Sequence, residues 1–296
     1  MSSDDVERKL RDEITSLESE LLRARTRLKA FTTASSQEPQ LQQDPSIVLQ
    51  DRSRFQISTA HVLLLLSDSA LPLGSFAFSS GLESYLAHRP SRPAPSILSF
   101  LSLSLSSVAS TLLPYLLTAF KEPTALASLD DTLDACTLCH VARRASIAQG
   151  GALFTLWERA FRATVDSEVP AASALAQFAR DMKEGSGSDL DGEVRGGHFA
   201  PIWGVVTLAM GISITDSAYA FLLNHAKAVL SAAVRASLVG PYKAQSVLAG
   251  EWLRQKIAKC LEDNWEIHID DAGQDVPLMD IWIGRHEKLY SRIFNS

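Results

Sequence analysis

The sequence predicts an all-α protein: a single helical-bundle domain over residues 58–296, preceded by a coiled-coil helix at 1–31 and a flexible linker at 32–57. Three observations carry this expectation. Large apolar residues recur at steps of three and four, the period of one helix face. Strict alternation of β-branched residues, the mark of a half-buried strand, is scarce. The chain has 296 residues, 46% of them apolar and 21% charged, which is enough apolar surface for one sizeable core.

Leu10, Ile14, Leu17, Leu21, Ala24, Leu28 and Phe31 alternate in steps of four and three, the spacing that keeps one seam against a partner helix. Glu13, Glu18, Glu20, Arg23, Arg25 and Arg27 fill the positions between them and form a solvated, partner-selecting face. From residue 32 to about 51 the composition shifts to Ser, Gln, Pro and Asp, which bury too little to offset the entropy of ordering. Residues 96–120 are uncharged and long enough to cross a bilayer. Seven serines interrupt that stretch and Pro114 falls late in it, so a pair of buried core helices is expected instead. The run TLDACTLCHVARRAS reads as continuous helix. Ala152, Leu153, Leu156, Trp157 and Phe161 share a helix face, as do Ala218, Phe221, Leu222, His225, Val229, Ala232, Ala233 and Ala236. EGSGSDLDGEVRGG at 184–197 holds five glycines and reads as a mobile surface loop. Gly240-Pro241 supplies a helix stop.

Composition also narrows the chemistry. A net charge of −6 provides no overall positive field for phosphate backbones, so nucleic acid is not expected as a ligand. Three cysteines are too few for a disulfide framework, and the first residues lack the basic start and apolar run of a signal peptide. A reducing, cytoplasmic location is therefore expected. There is no G-x-x-x-x-G-K-[ST] loop to cradle nucleotide phosphates and no G-x-S-x-G elbow. No H-x-x-x-H or H-E-x-x-H spacing exists to seat a catalytic zinc. No catalytic residue is assigned.

Cys136-Thr-Leu-Cys139-His140 spells a haem-attachment signature, which the absence of an export signal opposes. On a helix Cys136, Cys139 and His140 fall at i, i+3 and i+4 and share a face, so a thiol and imidazole site for Ni, Zn or Cu is an alternative reading. Small apolar packing by cysteine is the commoner role. A membrane-associated coiled-coil adaptor, recruiting through 1–31 and anchored by 96–120, is a second alternative.

The segment LLLLSDSALPLGSFAFSSGLE, ending at Glu83, resembles the N-terminal signature of UreF-type urease accessory proteins. Pro72 and Gly74 shape a turn between helices, Phe76 and Phe78 anchor it, and Gly81 lets the next helix pack closely. Ala142-Arg-Arg-Ala-Ser146 with Gln149-Gly150, His198-Phe199 through Gly204, Gly211-Ile212, then Gly240 and Gln245, are similar to the family in the same order. The tail, with His286, Leu289-Tyr290-Ser291-Arg292 and Phe294, is similar to the endings of eukaryotic members. The N-terminal helix and the insert at 184–197 lie outside the shared pattern. Ala77 and Phe78 replace the small or hydroxyl residue and Tyr common there, which removes a ring hydroxyl.

The resemblance implies a non-catalytic helical homodimer that bridges UreD (also called UreH) and the GTPase UreG and serves the urease apoprotein. It implies a part in nickel delivery, with nickel handled transiently by the complex and no cofactor bound stably. On that basis residues 72–85 and the tail from 289 are expected to form one docking surface, with Pro72, Gly74, Phe76, Ser80, Gly81, Glu83, Tyr85, Tyr290, Arg292 and Phe294 as its contact residues. Arg292 is expected to hold the tail through backbone carbonyls or the Tyr85 hydroxyl, and Glu83 to set electrostatic register.

Overall fold

The computed structural model describes residues 58–88, 96–185 and 197–295, all within the compact unit Ile57–Ser296. The coiled-coil seam, the linker and residues 186–196 of the expected loop lie outside the described residues. Among the described residues every regular element is helical, as the three-and-four spacing predicts. In chain order they are α1 (Ser58–Leu66), α2 (Leu82–Ala87), α3 (Ile97–Thr111), α4 (Leu113–Lys121), α5 (Leu126–Cys136) and α6 (His140–Leu156). There follow α7 (Pro170–Gly185), α8 (Phe199–Ala209), α9 (Ile214–Arg235), α10 (Pro241–Ala249), α11 (Glu251–Asn264) and α12 (Pro277–Arg285).

Helix α8 is the axis of the bundle. Its sequence, FAPIWGVVTLA, is apolar all round, so no side of it is served by water, and α4, α6, α7 and α9 pack around it. Trp203 is fully buried against Phe199 and Phe221, and its indole N–H donates to the Ser217 carbonyl at 3.2 Å. Gly204 permits the closest approach: a Cβ there would lie 2.4 Å from the Leu116 carbonyl oxygen of α4. The helix–helix distance is thus set by one missing methyl group.

The uncharged stretch is a helix pair. By length and composition Ile97–Lys121 would suffice to cross a membrane, and half of its most apolar window is buried in this fold. Pro114 sits in the first turn of α4, after a break at Leu112, because a ring without an N–H is tolerated only where that N–H would be orphaned. Phe100, Leu101, Leu105, Leu113 and Leu116 from the pair are fully buried.

Helix α9 follows its expected face. Ala218, Phe221, Leu222, Val229, Ala232 and Ala233 are buried, and His225 is partly so. The expected stop at Gly240-Pro241 is misplaced. The helix ends at Arg235, where Ser237 adopts φ 56° and the Leu238 N–H reaches back to the Ala233 carbonyl at 2.9 Å. This left-handed cap is made by serine where glycine is usual. Gly240-Pro241 instead opens α10, with Pro241 in its first turn.

The run around Cys136 is not one helix. α5 stops at Cys136 and α6 begins at His140, with the Thr137 hydroxyl donating to the Leu133 carbonyl at 2.6 Å. A side chain that satisfies a terminal carbonyl competes with continuation of the ladder. α6 then passes into one widened π turn, Trp157–Phe161. Near the start of the unit, α9 closes the end of α1: Asn224 donates to the Leu66 carbonyl at 2.9 Å and the Lys227 ammonium to the Ser67 carbonyl. Those acceptors belong to the unsatisfied last turn of a helix.

Candidate functional site

The signature segment forms a turn that leaves α1, reverses at Gly74 (φ 67°) and enters α2 through Ser80 and Gly81, both also left-handed. Two consecutive positive φ values are costly unless the surroundings fix them. Here they are fixed by α12: a Cβ on Gly81 would meet Ile283 Cγ1 at 3.0 Å and its backbone nitrogen at 3.1 Å. Leu73 is the buried anchor of the turn, whereas Phe76 is 67% exposed. Of the two rings expected to anchor the turn, Phe76 is thus exposed and Phe78 half-buried, and the buried contact is made by Leu73. The Phe76 ring lies on the outside, where the Arg235 guanidinium is 5.7 Å from its centroid.

Glu83 stands in the first turn of α2, and its carboxylate gathers three donors. The His286 Nε2–H donates to Oε2 at 2.9 Å, the Ile293 N–H to Oε1 at 2.7 Å and the Phe294 N–H to Oε2 at 3.2 Å. The Asn295 N–H continues the attachment, donating to the Ala77 carbonyl at 2.8 Å. Phe294 is buried, and Arg235 lies 4.4 Å above its ring. The segments 72–85 and 289–295 are thus brought together, as expected, but by a different residue. Arg292 is exposed, and the carboxylate in α2 does the fastening that was assigned to it. The physical reason is that two successive backbone N–H groups of an extended tail need an acceptor, which arginine cannot supply.

Tyr85 is buried among Phe100 and Trp282, with ring centroids 4.9 and 4.8 Å away. Tyr290 and Ile293 point outward, fully and 65% exposed respectively, and Pro72 is also exposed. His286 is wholly buried, and its Nδ1 has no partner among the described residues, so the Glu83 carboxylate is the ring's one polar attachment there. Sequence spacing gave no sign of the Glu83–His286 pair or of Arg235, since each contact spans a long stretch of chain.

A second polar cluster secures the start of α8. The backbone N–H of His198 donates to Asp130 Oδ1 at 2.5 Å, and the ring bridges Ser146 Oγ and Asp134 Oδ1, both at 3.0 Å. With Nε2–H donating to the Asp134 carboxylate, Nδ1 accepts from the Ser146 hydroxyl. That hydroxyl in turn accepts the Phe199 N–H at 3.2 Å. Arg143 binds Asp134 through two nitrogens at 2.6 and 3.1 Å, which holds its carboxyl below the usual range. Burial pushes the Asp130 carboxyl up to about 6. The Ser146 oxygen is already an acceptor for a helix-terminal N–H, so the Ser–His–Asp order serves here to close a helix end. Gly150 lets the chain enter beside it, since a Cβ there would lie 2.1 Å from the Gly197 carbonyl oxygen.

Cys136, Cys139 and His140 are not presented together on one helix face. Cys136 ends α5 and is exposed, Cys139 lies in the linker, and His140 Nε2 is bonded to Glu287 at 2.7 Å. Arg144 also binds Glu287, and these two partners hold that carboxyl down at about 2. Among the described residues no three His, Cys, Asp or Glu side chains are grouped to hold a metal ion. The geometry offers a fastened tail, outward-facing aromatic rings and closed polar clusters, the features of a surface for other proteins.

Comparison with known proteins points to a family. A family model for UreF matches residues 93–250. The chain is 35% identical over 236 residues to an uncharacterized urease accessory protein UreF-like of Schizosaccharomyces pombe, covering 80% of this chain and 97% of that protein. It is 33% identical to urease accessory protein F of Arabidopsis thaliana, over 78% of this chain and 90% of that one. It is 28% identical to the urease accessory protein UreF of Paenarthrobacter aurescens, over 78% and 95% respectively.

Proposed function

The chain belongs to the UreF family of urease accessory proteins, and from that membership we propose that it is a non-catalytic scaffold for loading nickel into urease. In this reading a homodimer bridges UreD (UreH) and the GTPase UreG in the cytoplasm, modulates the GTPase cycle and promotes GTP-dependent nickel delivery to apo-urease. Nickel is the cargo of the complex, with no resident cofactor in this chain.

The observation that carries the reading is the latch at Glu83. A carboxylate holding two successive backbone N–H groups fixes the tail against the signature turn. That fastening holds the tail, which carries exposed Tyr290 and Ile293, to the turn that carries exposed Phe76. Exposed aromatic and aliphatic side chains on a fixed backbone favour association, because little is left to order on binding.

The test is urease activity in a host lacking this chain, with and without excess nickel. Loss of activity, partly restored by added metal, supports a role in delivery. Full activity without the chain at ordinary nickel refutes it.

A further inference from the structure

A cavity of about 240 Å³ opens among the signature turn, α3, α6, α9 and α12. Most of its wall is apolar, with Leu73, Val108, Phe221 and Ile283 facing it. Its polar groups are largely committed elsewhere. Asn224 and Lys227 are spent on the carbonyls that end α1, and the Gln149 amide is spent on Ser75 and the Ala145 carbonyl. Asp68 also lines the wall and favours the charged form of Lys227 against its partial burial.

Among the nitrogen-bearing side chains of the wall, beside which several serine hydroxyls also lie, His225 is the exception. Its Nε2 is bonded to the Ser104 hydroxyl at 2.7 Å, while Nδ1 has no hydrogen-bond partner among the described residues. Burial pushes the imidazole down to about 4, so the ring is neutral at physiological pH. A neutral ring nitrogen donates or accepts according to tautomer. A ligand hydroxyl serves either case, whereas a carboxylate or an ammonium would enter an apolar space with no free counter-charge.

We propose that this cavity is a binding site for an uncharged, mostly apolar molecule bearing a hydroxyl, with the hydroxyl on His225 Nδ1 and the body against α3 and α9. The volume suits a two-ring phenol, since an apolar cavity of roughly 150 Å³ takes one benzene ring. The cavity borders the tail surface, since Phe76 and Ser80 of the signature turn line it, and its occupancy requires no other protein.

The test is calorimetric titration of the full chain with 2-naphthol, run beside nickel chloride. Saturable binding at one site is expected for 2-naphthol. His225→Leu should weaken it about tenfold, the worth of one hydrogen bond. Filling the space by Ala228→Phe or Val108→Phe should abolish it in proteins whose melting shows a folded state. Absence of binding to wild type overturns the proposal, as does undiminished binding in both filled variants. Nickel binding that depends on His225, without any for 2-naphthol, overturns it in favour of a cation site.

Discussion

Replacing Glu83 by alanine removes the acceptor shared by the tail and by His286, and the structure lets the consequences be separated. The tail is held by two N–H bonds to this carboxylate, one N–H bond from Asn295 to Ala77, the burial of Phe294 and the stacking of Arg235 on its ring. Hydrogen bonds to a charged acceptor are worth about 1.5–3 kcal/mol where water is excluded. Ile293 is 65% exposed, so water replaces part of that, and we take about 1 kcal/mol for each tail bond. Burial of Phe294 contributes about 1.5–3 kcal/mol and the cation–π contact about 0.5–1 kcal/mol, and neither is removed directly. Loss of about 2 kcal/mol from the closed state corresponds to a roughly thirtyfold larger open fraction. The buried His286 N–H loses its acceptor as well, at a further cost of about 1–3 kcal/mol to global stability. Amide hydrogen exchange distinguishes the two effects. Protection of Ile293, Phe294 and Asn295 should fall about thirtyfold through local opening of the tail, while α8 amides should report the change in global stability. Unchanged exchange at 293–295 in Glu83→Ala would refute the reasoning that this carboxylate is the latch.

Arg292→Ala should leave exchange at 293–295 within about twofold of wild type, because that side chain is exposed and surface charges contribute little. Gly204→Ala should destabilise by about 1–3 kcal/mol in chemical denaturation, since the new methyl group meets the Leu116 carbonyl at 2.4 Å and two helices must part. Ser146→Ala should cost about 1–2 kcal/mol by the same measurement, as it removes the acceptor of the Phe199 N–H and the donor to His198. Asp130 has a folded value of about 6, raised above its ordinary 3.8, so the folded state binds the proton more tightly. Its contribution is fully present below pH 4 and is lost as pH rises through 6. Asp130→Asn should therefore gain on wild type as pH climbs from 4 to 6, with a constant difference above, read from melting curves.

Much of the fold is written in local spacing. The face of α9 from Ala218 to Ala233 follows from steps of three and four, and the serine-broken stretch before Phe120 is the expected helix pair. Elements that depend on a single side chain were not legible. Nothing between Cys136 and His140 is a helix breaker by type, yet the Thr137 hydroxyl ends α5 by capping a carbonyl. Gly240-Pro241 carries the chemistry of both a stop and a start, and only the cap at Ser237 decides which applies. At the candidate site, the turn at Gly74 and Gly81 was readable because positive φ selects glycine. The latch was not: Glu83 meets residues 203 to 211 positions away, and such pairing leaves no periodic trace. The exposed side of Phe76 was equally hidden, because an aromatic residue after a turn reads as an anchor until the turn's handedness is known.

The most direct measurement mixes the purified chain with its UreD and UreG counterparts and follows elution of the complex, for wild type beside Glu83→Ala. Co-elution of all three with wild type, and loss of UreG from the complex when the tail is unlatched, is the predicted result. Elution of the wild-type chain alone, or equal UreG retention by both proteins, would contradict the account.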